Sequence, residues 1–190
     1  MVRVNEALSL ILQNSIKTKV VNQDLEESSG RVLAENILAD RDYPSFNRSR
    51  MDGFALSTSD LKNASPSNPV NLTIKGIIPA GSGEHLELKR GEAYKIMTGA
   101  PLPGGADGVV ALEDCKWQAD KAEFTRQIKA GTNIVFRGEE VKKGELILRK
   151  GMPVRSGEMV LLALAGKKKV KLYSPPRVGI LVTGEEVVNI

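Results

Sequence analysis

Gly91-Glu-Ala-Tyr-Lys-Ile-Met-Thr-Gly-Ala-Pro-Leu-Pro-Gly-Gly-Ala-Asp107 reads as a strand that runs into Thr98-Gly99 and then into a stiff loop of glycines and prolines. A further apolar run, 108–112, follows at once. Gly and Pro punctuate this stretch too often for a helix to propagate, so strand, rigid loop, strand is the expected order. The same rhythm continues on both sides. Between Phe46 and Leu148, apolar runs at 54–56, 70–78, 93–97, 108–112, 122–128 and 146–148 alternate with turn residues, and no helical period intervenes. The middle of the chain is therefore expected to be a β domain.

The flanks read differently. Val4, Ala7, Leu8, Ile11 and Leu12 form one apolar stripe at helical spacing over residues 4–14. Val20-Val21 begins a short extended piece, and residues 25–38 predict a second helix, weakened by Gly30. Residues 144–153 predict two strands joined by a glycine turn. Residues 156–166 predict a helix with Ser156 as N-cap and Gly166 at its left-handed end. After a strand at 170–173 and a stiff Ser174-Pro175-Pro176 linker, the run 178–182 predicts a buried strand of an α/β sheet. One central strand cannot cover its own two faces, so the chain reads as a fragment of something longer.

Composition narrows the function classes. The 190 residues hold 27 Lys plus Arg against 23 Asp plus Glu, with 41% hydrophobic residues, as in an ordinary globular protein. No apolar run approaches a membrane span, and the N-terminus lacks the pattern of a signal peptide. A lone cysteine, Cys115, cannot form an internal disulfide, which points to a reducing cytoplasm. One His (His85) and one Cys exclude the usual zinc ligand sets. Residues 115–190 carry 15 basic and 8 acidic groups, a balance that suits nucleic acid or an anionic small molecule. With 3 Tyr, 4 Phe and 1 Trp and no aromatic–basic interleaving, stacking of bases is disfavoured.

Three segments carry chemistry. In Pro44-Ser-Phe-Asn-Arg-Ser-Arg-Met-Asp-Gly-Phe-Ala55, the Asp52 carboxylate stands between a polar loop and a strand, where it could face a ligand or simply make an Asp-Gly turn. The Thr98-Gly99 loop offers a hydroxyl and backbone N–H groups to an anion, without being a Walker loop or a GxGxxG motif. In Arg137-Gly-Glu-Glu140, one of two adjacent carboxylates could share a hard cation such as Mg²⁺ with Asp52. Cys115 adjoins Lys116, a neighbour that lowers a thiol's pKa, although a passive thiol is the plainer reading.

Taken together, Phe46 with Met51-Asp-Gly-Phe-Ala55, Ile96-Met-Thr-Gly-Ala-Pro-Leu-Pro103, Gly105-Ala-Asp107 and Arg137-Gly-Glu139 resemble the N-terminal part of the molybdopterin molybdenumtransferases, the MoeA and gephyrin E-domain family. Gly30-Arg-Val-Leu-Ala34 and residues 178–186 extend the likeness over nearly the whole chain. Departures from the family pattern are Asn47, Arg50, Phe54 and Glu140, which stand where Asp, Ala, Tyr and Asp are usual.

The resemblance implies a mainly β fold with a few helices, of the α+β class. A β domain over 45–145 would be inserted into a small discontinuous domain of 18–44 and 146–175. Helix 1–17 would pack on an α/β domain whose linker and first strand are 176–190. It implies insertion of molybdate, or tungstate, into adenylylated molybdopterin with release of AMP and with Mg²⁺ assisting, the fragment alone being inactive. Asp52, Thr98 and Glu140 match catalytic positions, Asp52 and Glu140 also as metal ligands. Ser49, Gly53 and Gly99 match cofactor-binding positions, and the Gly99 amide would join Thr98 in holding an oxyanion. The partners implied are a second subunit across the cleft, a pterin substrate and the molybdopterin adenylyltransferase, with neither nucleic acid nor membrane. The competing readings are a gephyrin-like scaffold or dimerisation module and an RNA-binding β domain.

Overall fold

The computed structural model describes residues 2–15, 18–83 and 85–180. In chain order the first elements are α1 (Val4–Gln13), β1 (Val20–Asp24), β2 (Val32–Leu33), β3 (Ile37–Leu38), β4 (Arg48–Ser49), β5 (Gly53–Leu56), β6 (Val70–Ile78) and β7 (Glu92–Ile96). Then follow β8 (Gly108–Ala111), β9 (Lys116–Gln118), β10 (Lys121–Phe124), β11 (Ile134–Val135), β12 (Leu146–Leu148), α2 (Ser156–Leu164) and β13 (Lys169–Tyr173). The fold is mainly β. The chain divides into two units, one of residues Arg41–Glu145 and one of the pieces that flank them.

The Arg41–Glu145 unit is built on a six-stranded sheet ordered β8-β5-β7-β6-β10-β9. All its neighbours are antiparallel except β6 and β7. Every residue of β5 is buried. Side chains alternate across a strand, so Phe54 and Leu56 enter one cluster with Leu61, Leu72, Val110 and Phe124, while Ala55 enters a second with Ile78, Ile96 and Val109. Phe54 meets Phe124 edge to face at 6.1 Å, an arrangement in which the positive ring edge faces the negative π cloud. Gly53 is required at the head of β5: a Cβ there would lie 2.2 Å from the Val110 carbonyl oxygen of β8.

The second unit pairs β1, β13 and β2 in one antiparallel sheet and β3 with β12 in another. Its core gathers Leu33, Ile37, Leu148, Val154, Leu162, Val170 and Leu172. The helix expected over 25–38 does not form. Leu25–Glu27 makes a single 3-10 turn, Gly30 turns the chain at a φ of +73°, and Leu33 and Ala34 donate their N–H groups to the Met152 and Lys171 carbonyls at 2.9 and 2.8 Å. Pairing with strands distant in sequence outweighs a weak helical pattern.

The N-cap of α2 is Arg155, not Ser156; its N–H donates to Glu158 Oε2 at 2.9 Å, and Ser156 is the first helical residue. The helix ends as expected. Gly166 at φ +69° donates to the Ala163 carbonyl, and Lys167 to that of Leu162, each at 3.0 Å. These paired bonds satisfy carbonyls that the last turn leaves open. Helix α1 forms over its expected residues, yet none of them is buried. The strand expected at 178–182 is absent from its described part: residues 174–180 form no strand, and Val178 and Ile180 are 78% and 88% exposed. An isolated apolar run has no partner for its backbone groups. The remainder of that run lies outside the described residues.

Candidate functional site

The β5–β7 register creates the central contact. Gly53 pairs with Ile96, so the residues just beyond the two strand ends, Asp52 and Thr98, arrive side by side. Thr98 donates both its N–H and its hydroxyl to Asp52 Oδ1, each at 2.7 Å. Both bonds fall on one oxygen, and Oδ2 keeps no hydrogen bond among the described residues. The Thr98 hydroxyl, then its N–H, hold the Asp52 carboxyl below its ordinary value of 3.8, with a smaller contribution from the Lys95 charge. Asp52 is thus an exposed, ionised and oriented carboxylate with one open oxygen.

The neighbouring backbone is fixed by bonds between the 47–52 and 97–102 segments. Gly99 donates its N–H to the Ser49 carbonyl at 2.9 Å, and Ser49 donates to the Ala100 carbonyl at 3.0 Å. The Ser49 hydroxyl is buried and donates to the Met51 carbonyl at 2.5 Å. Gly53 is buried between β7 and β8. The polar groups expected to meet a ligand at these three positions are therefore engaged internally. In particular, the Gly99 N–H, expected to join Thr98 in holding an oxyanion, has the Ser49 carbonyl as its acceptor.

Glu139 and Glu140, which follow a tight turn closed by the Glu139 N–H donating to the Phe136 carbonyl, face different partners. Glu140 Oε1 accepts from Arg48 Nη2 at 2.6 Å, whereas Glu139 Oε1 accepts from Arg50 at 3.0 Å and its Oε2 from the Phe136 N–H at 2.8 Å. Arg137 Nε donates to Asp42 Oδ2 at 2.7 Å, while the Lys143 N–H donates to Asp42 Oδ1 at 2.9 Å. The Lys143 bond first, then Arg137, lowers the Asp42 carboxyl. Glu140 is thus bound to Arg48 and Asp52 to Thr98. Among the described residues no group of three or more His, Cys, Asp or Glu side chains gathers to hold a metal ion.

Sequence reasoning missed Arg48 and Arg50 as partners of the two glutamates. Their signal was the i, i+2 spacing about Ser49, which puts both on the face opposite the buried serine. It also missed Lys95, whose ammonium lies 4.0 Å from the centre of the Trp117 ring. Burial, then the Asp114 and Glu113 charges, pushes the Cys115 thiol up to about 11, which accords with the plainer reading of a passive thiol and leaves no lowering by Lys116. His85 lies in an exposed loop.

Residues 2–166 match the family profile described as "MoeA N-terminal region (domain I and II)". The chain is 36% identical over 189 residues to a molybdopterin molybdenumtransferase of Staphylococcus epidermidis, aligning all of this chain with 45% of that protein. A Staphylococcus aureus protein of the same name is 34% identical over 187 residues, 98% of this chain and 45% of its own. The solved structure titled molybdopterin biosynthesis moeA protein from Pyrococcus horikoshii OT3 superposes with a TM-score of 0.91 at 39% identity, covering 99% of this chain and 50% of that one. The chain thus spans about half the length of the curated relatives it matches. In fold and in sequence along most of its length, it belongs to the MoeA family.

Proposed function

We propose that this chain serves molybdenum cofactor biosynthesis as part of a cytoplasmic, homodimeric molybdopterin molybdenumtransferase. The reaction is insertion of molybdate into adenylylated molybdopterin with release of AMP, and the molybdopterin adenylyltransferase supplies the substrate. The observation that carries this reading is the Asp52 carboxylate, pinned through Oδ1 by Thr98 with Oδ2 left open. Family membership supports the substrate class, since the relatives are named for molybdopterin.

Molybdate and the substrate's pyrophosphate are both anionic, so bringing them together needs positive charge and fixed orientation. One open carboxylate oxygen fits Mg²⁺, which is commonly held by one or two carboxylates together with waters and substrate phosphates. Asp52 Oδ2 would be the protein ligand, and the ion would supply charge neutralisation at the phosphoryl oxygens. Thr98 keeps Asp52 ionised and aimed. Glu140 stands in reserve behind Arg48, available as a metal ligand once that arginine turns to an anion. Ser49, Gly53 and Gly99 act through the backbone, by fixing the two segments that present Asp52 and Thr98.

The test is Asp52→Asn in the full-length protein. Volume and hydrogen-bonding capacity are nearly kept while the charge is lost. Turnover of adenylylated molybdopterin should fall at least tenfold, about 1.4 kcal/mol in the barrier, with the melting temperature little changed. Unchanged turnover per folded molecule removes Asp52 from the site.

A further inference from the structure

If the Thr98 hydroxyl and the Thr98 and Gly99 amides are all engaged within the protein, an anion beside Asp52 needs another donor. Four cations belong to the segments described above. Arg48 faces Glu140, Arg50 faces Glu139 and Arg137 faces Asp42. Lys95 differs from them. Among the described residues it has no carboxylate at ion-pair distance, and its Nζ rests 4.0 Å from the Trp117 ring centre.

Its place in the sheet brings it to the site. Lys95 pairs directly with Phe54, and Asp52 lies two residues before Phe54, in the bend that leads into β5. Asp52 and Lys95 are thus diagonal cross-strand neighbours, a separation of roughly 7–8 Å that long side chains bridge. The ring beneath the ammonium is itself held: Trp117 is 47% exposed and meets the buried Phe54 edge to face at 6.2 Å.

A cation over an exposed indole is held more weakly than one bonded to an oxyanion. We propose that Lys95 is the cationic ligand of a tetrahedral-oxyanion subsite beside Asp52, and that Trp117 is the perch from which its ammonium moves to the anion. The proposal rests on the reading of Asp52 as the ligand-facing carboxylate, and it adds the group that meets the oxyanion. Phosphate esters and free molybdate share the chemistry that Lys95 recognises, a compact multiply charged oxyanion.

Trp117 is the sole tryptophan, so its emission reports the departure of the ammonium directly. The 190-residue chain is titrated with inorganic phosphate, molybdate and AMP at constant ionic strength, with sodium chloride as the blank and calorimetry in parallel. A saturable emission change is expected, with a calorimetric midpoint that matches it. Lys95→Met should weaken the affinity about tenfold, whereas Lys95→Arg should stay within about threefold, circular dichroism being the same for all three proteins. Binding of AMP at least as tight as that of phosphate assigns the subsite to a nucleotide phosphoryl group; preference for phosphate or molybdate assigns it to a free oxyanion. Parental affinity in Lys95→Met, an equal response to chloride, or no calorimetric binding overturns the proposal. No turnover is read, so failure here leaves the Asp52 test standing, and failure of that test does not alter this titration.

Discussion

Asp107 grips Thr58 with both oxygens of its carboxylate: Oδ1 accepts the Thr58 N–H at 2.6 Å and Oδ2 the Thr58 hydroxyl at 2.9 Å. The Asp52–Thr98 pair uses the same donors but places both on one oxygen. The first aspartate engages both of its oxygens in the fold, and the second leaves Oδ2 without a hydrogen bond among the described residues. Asp107→Asn should therefore cost stability rather than chemistry, because an amide cannot accept with both of its ends. A loss of about 1–2 kcal/mol is expected. Thermal melting should show a drop of several degrees, at about 2–4 °C per kcal/mol for a chain of this size. An unchanged melting curve refutes the assignment.

Gly53→Ala should be more damaging than Gly30→Ala, although of the two only Gly30 has a positive φ. The added methyl at Gly53 clashes with the Val110 carbonyl oxygen, a backbone atom that cannot swing away, whereas at Gly30 nothing among the described residues lies within 4 Å. Spreading β5 from β8 should cost about 1–3 kcal/mol or more. The left-handed strain at Gly30 should cost about 1–2 kcal/mol. Urea midpoints of the two variants measure the order, and equal midpoints would contradict the packing argument.

Removing the Thr98 hydroxyl should raise the Asp52 carboxyl toward 3.8, since that bond is the largest cause of its lowering. A carboxyl depressed in the folded state adds stability above its ordinary value, and that stability is lost as the pH falls through the folded value. Thr98→Val should thus move the carbon-13 titration of Asp52 upward and reduce the difference in stability between neutral and acid pH. A titration that does not move would show that the backbone N–H alone sets this carboxylate.

Cys115, pushed up to about 11, should alkylate slowly at neutral pH. Against an ordinary thiol near pKa 8.5 it holds roughly 300-fold less thiolate. The greater nucleophilicity of a more basic thiolate recovers part of this, which leaves a rate about 20-fold slower. Iodoacetamide labelling followed as a function of pH should keep rising toward pH 11; a plateau near pH 8.5 would mean an unperturbed thiol.

How far the sequence could be read depended on the range of the forces involved. Strand β6 was legible residue for residue, because nine residues of extended, alternating character lie between turn signals. Helix α1 was legible from its apolar stripe, and the end of α2 from Gly166. Residues 25–38 were not, because their extended pieces exist only through bonds to Met152 and Lys171, far along the chain. At the candidate site, Asp52 and Thr98 stood out by residue type. That one oxygen of Asp52 receives both Thr98 donors, or that Lys95 lies over Trp117, depends on strand register, which no local pattern encodes.

The reciprocal bonds between Tyr43 and Val141, at 2.7 and 3.1 Å, tie the two ends of the Arg41–Glu145 unit to each other. Once that unit has folded, the flanking unit experiences the hundred-odd intervening residues as a short loop. By the logarithmic law of loop closure this saves about 2–3 kcal/mol of chain entropy when β3 finds β12. Once folded, the inserted unit acts as a clasp that keeps the two halves of its host within reach of each other along the chain. It also follows that exchange of the insert for a short linker should cost its host little loop-closure entropy.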